Sequence, residues 1–285
     1  MLNWLKQIKN NSPVLYAMAM GFQHKRSATP SWVKTPIQKD RRRVRWLENT
    51  VSHFTQQRLL AMLPQKDGLI TIPAGVFKGL KYWANNPHFF TGIGYGAYEP
   101  QMQQLIEGMG DGKRFTHFIN VGCAEGTYVA GLMKRWPHIK AQAYDILPDR
   151  VEMTKALVKL NGIDLSRLTT GGLFDFTNEA LYPKERTLFL IDIEGCEAEL
   201  PQHLAKFKPH DLLIEAHEDM AENITETLCK AFAKTHDQTV LGFADLDYIK
   251  KNIDLSKFSA AECANLMFCN RAIPQNFIYF KSKAR

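Results

Sequence analysis

An α/β fold, with a mostly parallel seven-stranded sheet covered by helices on both faces, is what this chain of 285 residues predicts. Three observations predict it. From Pro100 onward, apolar runs of strand length alternate with stretches of helical spacing. One of those runs, Phe115-Thr116-His117-Phe118-Ile119-Asn120-Val121-Gly122-Cys123-Ala124-Glu125-Gly126, reads as a buried strand that breaks into a glycine turn and opens a helix. The hydrophobic content, 45%, is enough over this length for one large domain and an extension.

Taken in order, residues 1–66 read as a basic helical extension with breaks at Pro30, Ser31 and Pro36. Residues 67–98 change character. Gly68, Gly75, Gly79, Gly92, Gly94 and Gly96, interspersed with Ile70, Ile72, Val76 and Phe77, suggest short strands or a hairpin and a glycine-rich lid. Residues 99–285 form the third segment, in which the spacing predicts helix 100–109, strand 115–121, helix 126–136, strand 139–145, helix 149–161 and strand 166–173. Strand 187–193, helix 198–207, strand 211–216, helix 219–235, strand 237–243 and a last strand 275–282 follow. An insertion over 246–270 has helical spacing in Phe258, Cys263 and Leu266 and is placed to shape an acceptor site.

The glycine turn is a cofactor loop. Gly122 and Gly126 let the backbone turn tightly and approach a ligand closely. A dinucleotide fingerprint wants a second glycine two residues after the first, and Ala124 stands there. Glu125 adds a carboxylate that repels phosphates but suits a sulfonium and an ammonium. The loop therefore favours S-adenosylmethionine over a nicotinamide dinucleotide. Strand 139–145 ends in Asp145, placed with Ile146 where a carboxylate accepts both hydroxyls of a ribose.

Four segments, Gly96-Ala97-Tyr98-Glu99-Pro100, Asn120 to Gly126, Leu190-Ile191-Asp192-Ile193-Glu194-Gly195-Cys196-Glu197 and Leu213-Ile214-Glu215-Ala216-His217, resemble the FkbM-type family of class I S-adenosylmethionine-dependent methyltransferases. The Asp-x-Glu-Gly-x-Glu after an apolar strand is the most specific of them. The resemblance runs from about residue 70 to the C-terminus and implies a Rossmann-like methyltransferase domain. It also implies that Tyr98 and Glu99 line the cofactor pocket. Asn120, Gly122, Cys123, Glu125, Gly126 and Asp192 complete the cofactor set, and Leu173 and Phe174 are candidates for the adenine face. Two departures stand out: Asn120 replaces the family's usual Asp, and Cys123-Ala124-Glu125 replaces its small neutral turn.

Methyl transfer is an in-line displacement, so the site must align the acceptor, exclude water and handle its proton. Asp192, Glu194, Glu215 and His217, at the ends of two strands, are the catalytic candidates. One arrangement puts a divalent cation on Asp192, Glu215 and His217, as in catechol-type O-methyltransferases, whose strand positions are similar. The other uses His217 or Glu194 as the base. The cation-free arrangement is favoured because no dense acid triplet is present in the sequence. Structural alternatives stay open: Asp192 and Glu194 as helix caps, His217 as a packed histidine. The acceptor class the resemblance implies is a hydroxyl of a sugar, glycan or related metabolite.

Charge is uneven. The net +7 resides in residues 1–46, where ten basic residues face one acid, Asp40, leaving 26 basic against 28 acidic residues elsewhere. Trp4, Leu5, Ile8, Val14, Leu15 and Met18 form one helical face flanked by Lys6 and Lys9, and Lys39 to Arg45 add a basic run. Such an arm suits an anionic membrane face, at about 1 kcal/mol per basic residue, or a helical cap on the main domain. It is also the only support for a nucleic-acid methyltransferase, and a partner-recruiting arm for a non-catalytic scaffold of the same fold. Val14 to Phe22 with Ala17-Met18-Ala19 mimics a secretory signal, which Pro13, Tyr16 and the basic residues after it fit poorly. Five cysteines with no CxxC spacing argue against a disulfide framework and a zinc site, and so for a reducing, cytoplasmic setting, peripheral to the inner membrane face if the arm binds lipid.

Overall fold

The computed structural model describes residues 54–86, 91–218, 220–241, 246–259, 262–263, 266 and 276–284. The expectations placed on residues 1–46 lie outside them. A helix occupies residues 54–62 (α1). It is followed by a three-stranded antiparallel sheet of Gln65–Lys66 (β1), Leu69–Thr71 (β2) and Lys81–Trp83 (β3). Gly92 and Gly94 belong to a short helix, Thr91–Tyr95 (α2), where the sequence reading has an open lid.

The main sheet is assembled from the alternating segments: Pro100–Gly108 (α3), His117–Val121 (β4), Thr127–Arg135 (α4), Lys140–Tyr144 (β5), Pro148–Leu160 (α5), Leu168–Gly171 (β6) and Thr187–Ile191 (β7). After a 3-10 segment, Glu197–His203, come Leu204–Phe207 (α6), Asp211–Ala216 (β8), Ile224–Phe232 (α7), His236–Leu241 (β9), Leu246–Asn252 (α8) and Asn276–Ser282 (β10). Strand order is β6-β5-β4-β7-β8-β10-β9, with β10 antiparallel to both its neighbours. The order reverses at β4, whose partners are β5 on one side and β7 on the other, both parallel. In an open α/β sheet the crevice for a ligand lies beyond the carboxyl ends of the strands at such a reversal.

The central strands form because they are apolar on both faces, as a doubly covered sheet requires. β7, Thr-Leu-Phe-Leu-Ile, and β8, Asp-Leu-Leu-Ile-Glu-Ala, are buried throughout. Alternate residues then supply two cores. Phe118, Leu188, Leu190 and Leu213 join one with Met102, Leu132 and Trp136. Ile119, Phe189, Ile191, Leu212 and Ile214 join the other with Phe207, Leu228 and Phe232.

Two helices depart from the sequence reading. The helix expected over 198–207 is mostly 3-10, because Pro201 sits inside it and offers no N–H to an α-helical ladder. The helix expected from 219 begins only at Ile224, after Asn223 in the left-handed conformation (φ 57°). Among the insertion's described residues, Ile249, Ile253 and Leu266 bury against Leu59 and Ala97, and Phe258 meets Tyr95 edge-on at 5.3 Å.

His210, 1% exposed, enters the fold with a cost that pH reveals. Burial pushes its pKa down to about 4, and no group hydrogen-bonds its Nδ1 among the described residues. The native ring stays neutral while the unfolded chain takes up a proton below about pH 6.5. Stability is therefore whole above that value and falls as pH drops from 6.5 towards 4, by about 3 kcal/mol for this group. Urea midpoints at pH 7.5 and 4.5 should show the loss, and His210→Phe should reduce it; an equal loss in the variant removes His210 as the cause.

Candidate active site

The turn after β4 is held by its neighbours. Gly122 and Cys123 both donate backbone N–H groups to the Tyr144 carbonyl at the end of β5, at 2.8 and 2.9 Å. Gly122 has φ 82°, and a Cβ there would lie 1.8 Å from the Asp192 carbonyl oxygen. The end of β7, rather than a ligand, is what forbids a side chain at 122. Gly126, at φ 87°, similarly lets α5 pass: a Cβ would stand 2.8 Å from Thr154 Cα. Asp145 ties the second strand to the loop, its Oδ2 accepting the Ala124 N–H at 3.0 Å and its Oδ1 the Leu147 N–H at 2.9 Å. Gly122 and Asp145 thus lie at the carboxyl ends of adjacent strands, joined through the loop. Burial raises the Asp145 pKa, although those two backbone donors oppose the shift.

Beside the loop is a small cleft of about 40 Å³, lined by Tyr98, Glu99, Asn120, Glu125, Asp192 and Glu215 among others. Glu125 is buried and accepts a 2.8 Å hydrogen bond from Thr127 Oγ1; burial raises its pKa. Glu99, also buried, adopts the left-handed conformation (φ 43°) and accepts from the Tyr128 hydroxyl. Asn120 donates its amide to the Leu190 carbonyl at 3.3 Å, bridging β4 and β7, a bond that an Asp cannot make. Its amide thus ties β4 to β7 at the edge of the cleft.

The remaining cofactor candidates divide. Cys123 lies on the cleft, its thiol pushed up to about 12 by burial, so it is no nucleophile. Ile146 is half-buried directly after Asp145, and Leu173 is 41% exposed. Phe174 is placed otherwise. It is 3% exposed and packs edge-on against Tyr144 and Phe176, each at 4.9 Å, inside the core under α6 and α7, so its surroundings are packing partners rather than a ligand face.

One strand over, three segments converge on His217. Its Nδ1 lies 2.8 Å from Oε1 of Glu197, a fully buried carboxylate that also accepts the Ile193 N–H at 3.3 Å. A carboxylate only accepts, so Nδ1 carries the hydrogen. Nε2 faces Glu194 Oε2 at 3.5 Å, Asp192 Oδ1 at 3.6 Å and Glu215 Oε1 at 3.8 Å. Burial lowers the pKa of His217, but the Glu197 hydrogen bond and the charges of Glu197, Glu215 and Glu194 outweigh it and leave the value raised. All four catalytic candidates are therefore neighbours. The ion-holding trio differs from the expected one: Asp192, Glu194 and His217 each bring a ligand atom within 4.8 Å of the others, with Glu194 in the place given to Glu215. Glu197 was not among the candidates. Its signal was its spacing, three residues after Glu194, which sets it at the start of the 3-10 segment and turned inward.

No protein-family model matches the chain, and no curated protein matches it. Solved structures do at long distance. One is a geranyl diphosphate methyltransferase in complex with geranyl diphosphate and sinefungin, 9% identical over 82% of this chain and 97% of that one, with a TM-score of 0.43. Another is the O-methyltransferase TomG from Streptomyces achromogenes, 9% identical over 64% and 79% of the two chains, TM-score 0.44. A third is an S-adenosylmethionine-dependent O-methyltransferase from Thermotoga maritima, 12% identical over 65% and 66%, TM-score 0.43. Among the described residues no helix is long and apolar enough to cross a membrane. It is the strand order itself, with β10 reversed between β8 and β9, that gives this chain the Rossmann-like fold of the class I methyltransferases.

Proposed function

We propose that the chain is an S-adenosylmethionine-dependent O-methyltransferase that acts on a hydroxyl of a sugar, glycan or related metabolite. One observation carries the reading. The glycine turn is pinned to Asp145 on one side, and the Asp192–Glu194–His217 group stands on the next strands, all at the carboxyl ends where the strand order reverses. The residues fit the cofactor in their chemistry: Glu99 and Glu125 line the cleft with acid rather than phosphate-binding groups. When bound, S-adenosylmethionine supplies the activated methyl. Asp145, whose carboxylate oxygens each keep a free lone pair, holds the ribose; Glu99 and Glu125 face the cationic portion. Asp192, Glu194, Glu215 and His217 orient the acceptor and take its proton. The hydroxyl class suits a group rich in acids beside an imidazole, and the glycan acceptor follows from the FkbM-type resemblance.

S-adenosylhomocysteine at about 100 times its Kd should stabilise the protein by about 2.7 kcal/mol, or roughly 5–11 °C in melting temperature for a domain of this size. Asp145→Ala should melt lower and show no such shift. A wild type indifferent to the ligand would leave the non-catalytic scaffold as the better reading. Incubating a glycan extract with labelled methyl donor tests the acceptor. The nucleic-acid reading rests on residues 1–46 alone, which lie outside the described residues.

A further inference from the structure

We propose that Asp192, Glu194 and His217 bind one divalent cation of borderline softness, Mn²⁺ or Zn²⁺ in class, with Glu197 as the group that aims the histidine. The proposal deepens the methyltransferase reading, since it names what sits between the acceptor hydroxyl and the acids of the same site. The three ligand atoms lie within 4.8 Å of one another. Clustered acids alone would say little, but the histidine adds a separate observation. Its side chain is 6% exposed, and its Nε2 faces three carboxylate oxygens at 3.5, 3.6 and 3.8 Å without a hydrogen bond of ordinary length to any of them. Hydrogen bonds between such groups are made at about 2.7–3.2 Å. Two ligands on one ion with bonds of about 2.1 Å and a tetrahedral angle stand about 3.4 Å apart. The spacing of Nε2 from the acid oxygens, 3.5–3.8 Å, is nearer the second kind.

The far side of the ring agrees. Glu197, fully buried, takes the Nδ1 hydrogen at 2.8 Å, which turns Nε2 towards the acids, where a cation would displace any proton that nitrogen carries. A metal-bound histidine is usually fixed this way, by a carboxylate on its other nitrogen. The same Glu197 oxygen accepts the N–H of Ile193, the residue between Asp192 and Glu194, so one buried side chain registers all three ligands. Neither Glu194 nor Glu197 has a Lys or Arg partner among the described residues. Two carboxylates and an imidazole favour Mn²⁺ or Zn²⁺ over Ca²⁺ and Mg²⁺, which prefer all-oxygen sets. Such an ion would acidify a coordinated hydroxyl, with Glu215 close by to receive the proton. The cation-free preference of the sequence reading rested on the lack of a dense acid triplet; the fold assembles one from two strand ends.

The test uses the full chain, stripped with chelator and titrated with MnCl₂ and ZnCl₂ by calorimetry and by the Mn²⁺ electron paramagnetic resonance signal. One equivalent should bind, at least tenfold more weakly in Glu194→Gln, whose exposed side chain leaves the fold intact, and not at all in Asp192→Asn or His217→Ala. Glu197→Gln should cost about 10–100-fold in affinity. Glu226→Gln, a surface acid on α7, should change nothing. Failure of the wild type to bind, or binding that Glu194→Gln and His217→Ala leave untouched, overturns the proposal and returns Nε2 to the acids as an imidazolium. The S-adenosylhomocysteine shift, measured on the same stripped samples, reports on the methyltransferase reading separately: a shift without metal binding sinks the cation alone.

Discussion

Gly122→Ala is expected to cost about 3–5 kcal/mol of folding stability and to abolish the S-adenosylhomocysteine shift in whatever protein remains folded. The backbone at 122 has φ 82°, where an L-residue is strained by about 1–2 kcal/mol. Geometry adds the larger part. A Cβ would stand 1.8 Å from the carbonyl oxygen of Asp192 and 2.9 Å from its carbonyl carbon, and neither is a flexible side-chain end that can swing away. Either β4 and β7 separate at their carboxyl ends or the turn is rebuilt. Both moves disturb the Asp192 N–H bond to the Val121 carbonyl, now 2.9 Å, and with it the register of the acid group against the loop. Gly162→Ala is the control, since that residue also has positive φ (65°) but nothing within 4 Å of the added carbon. Its cost should be only the conformational part, about 1 kcal/mol. Urea midpoints of the two variants give the comparison. Equal losses would mean that the contact with Asp192 is no constraint and that the turn can move freely.

That contact explains why parts of the site were legible and parts were not. The order strand, glycine turn, helix, strand, acid is local, and each step is written in neighbouring residues; Asp145 follows β5 directly, and its bond to the Ala124 N–H is a contact the pattern does not specify. β8 was readable to the residue, 211–216, because an unbroken apolar run ends at ionisable groups. Pro201 was visible too, and only its consequence, a 3-10 rather than α-helical segment, was missed. Glu197 was hidden for a different reason. A buried carboxylate is tolerated only with a partner, and that partner, His217, is 20 residues away, just past the end of β8. Phe174 shows the converse: an aromatic after a strand reads equally well as a ligand face or as core, and only the surrounding Tyr144, Phe176, Tyr182 and Phe189 decide it. Likewise Glu194 joins the trio through a left-handed turn at Glu194 and Gly195 (φ 52° and 94°) that spacing alone does not specify.

Asp211→Asn is expected to destabilise the protein by about 3–5 kcal/mol while leaving the S-adenosylhomocysteine shift unchanged in the folded fraction. Asp211 opens β8 at the amino end, opposite the end that bears Glu215 and His217. It is fully buried and accepts from Arg114 Nη2 and the Tyr279 hydroxyl, each at 2.5 Å, from the Ser282 N–H at 3.1 Å and from Arg186 Nε at 3.2 Å. One carboxylate thereby joins β8 and β10 to the segments leading into β4 and β7. Burial raises the Tyr279 hydroxyl's pKa, and the bond to Asp211 raises it further, so Tyr279 stays a donor. An amide of the same shape keeps one acceptor oxygen and turns an N–H₂ towards two guanidinium groups, which then lack a counter-charge. Both arginine side chains are about one-third exposed, at 33% and 32%, so water relieves part of the penalty and the lower half of the range is the better guide. Arg186→Met should then cost less than Asp211→Asn, because it removes one cation and leaves the carboxylate with three donors. If urea midpoints show the arginine variant to be the more damaging, the network is held by packing of the guanidinium against its neighbours, and the buried charge is incidental to it.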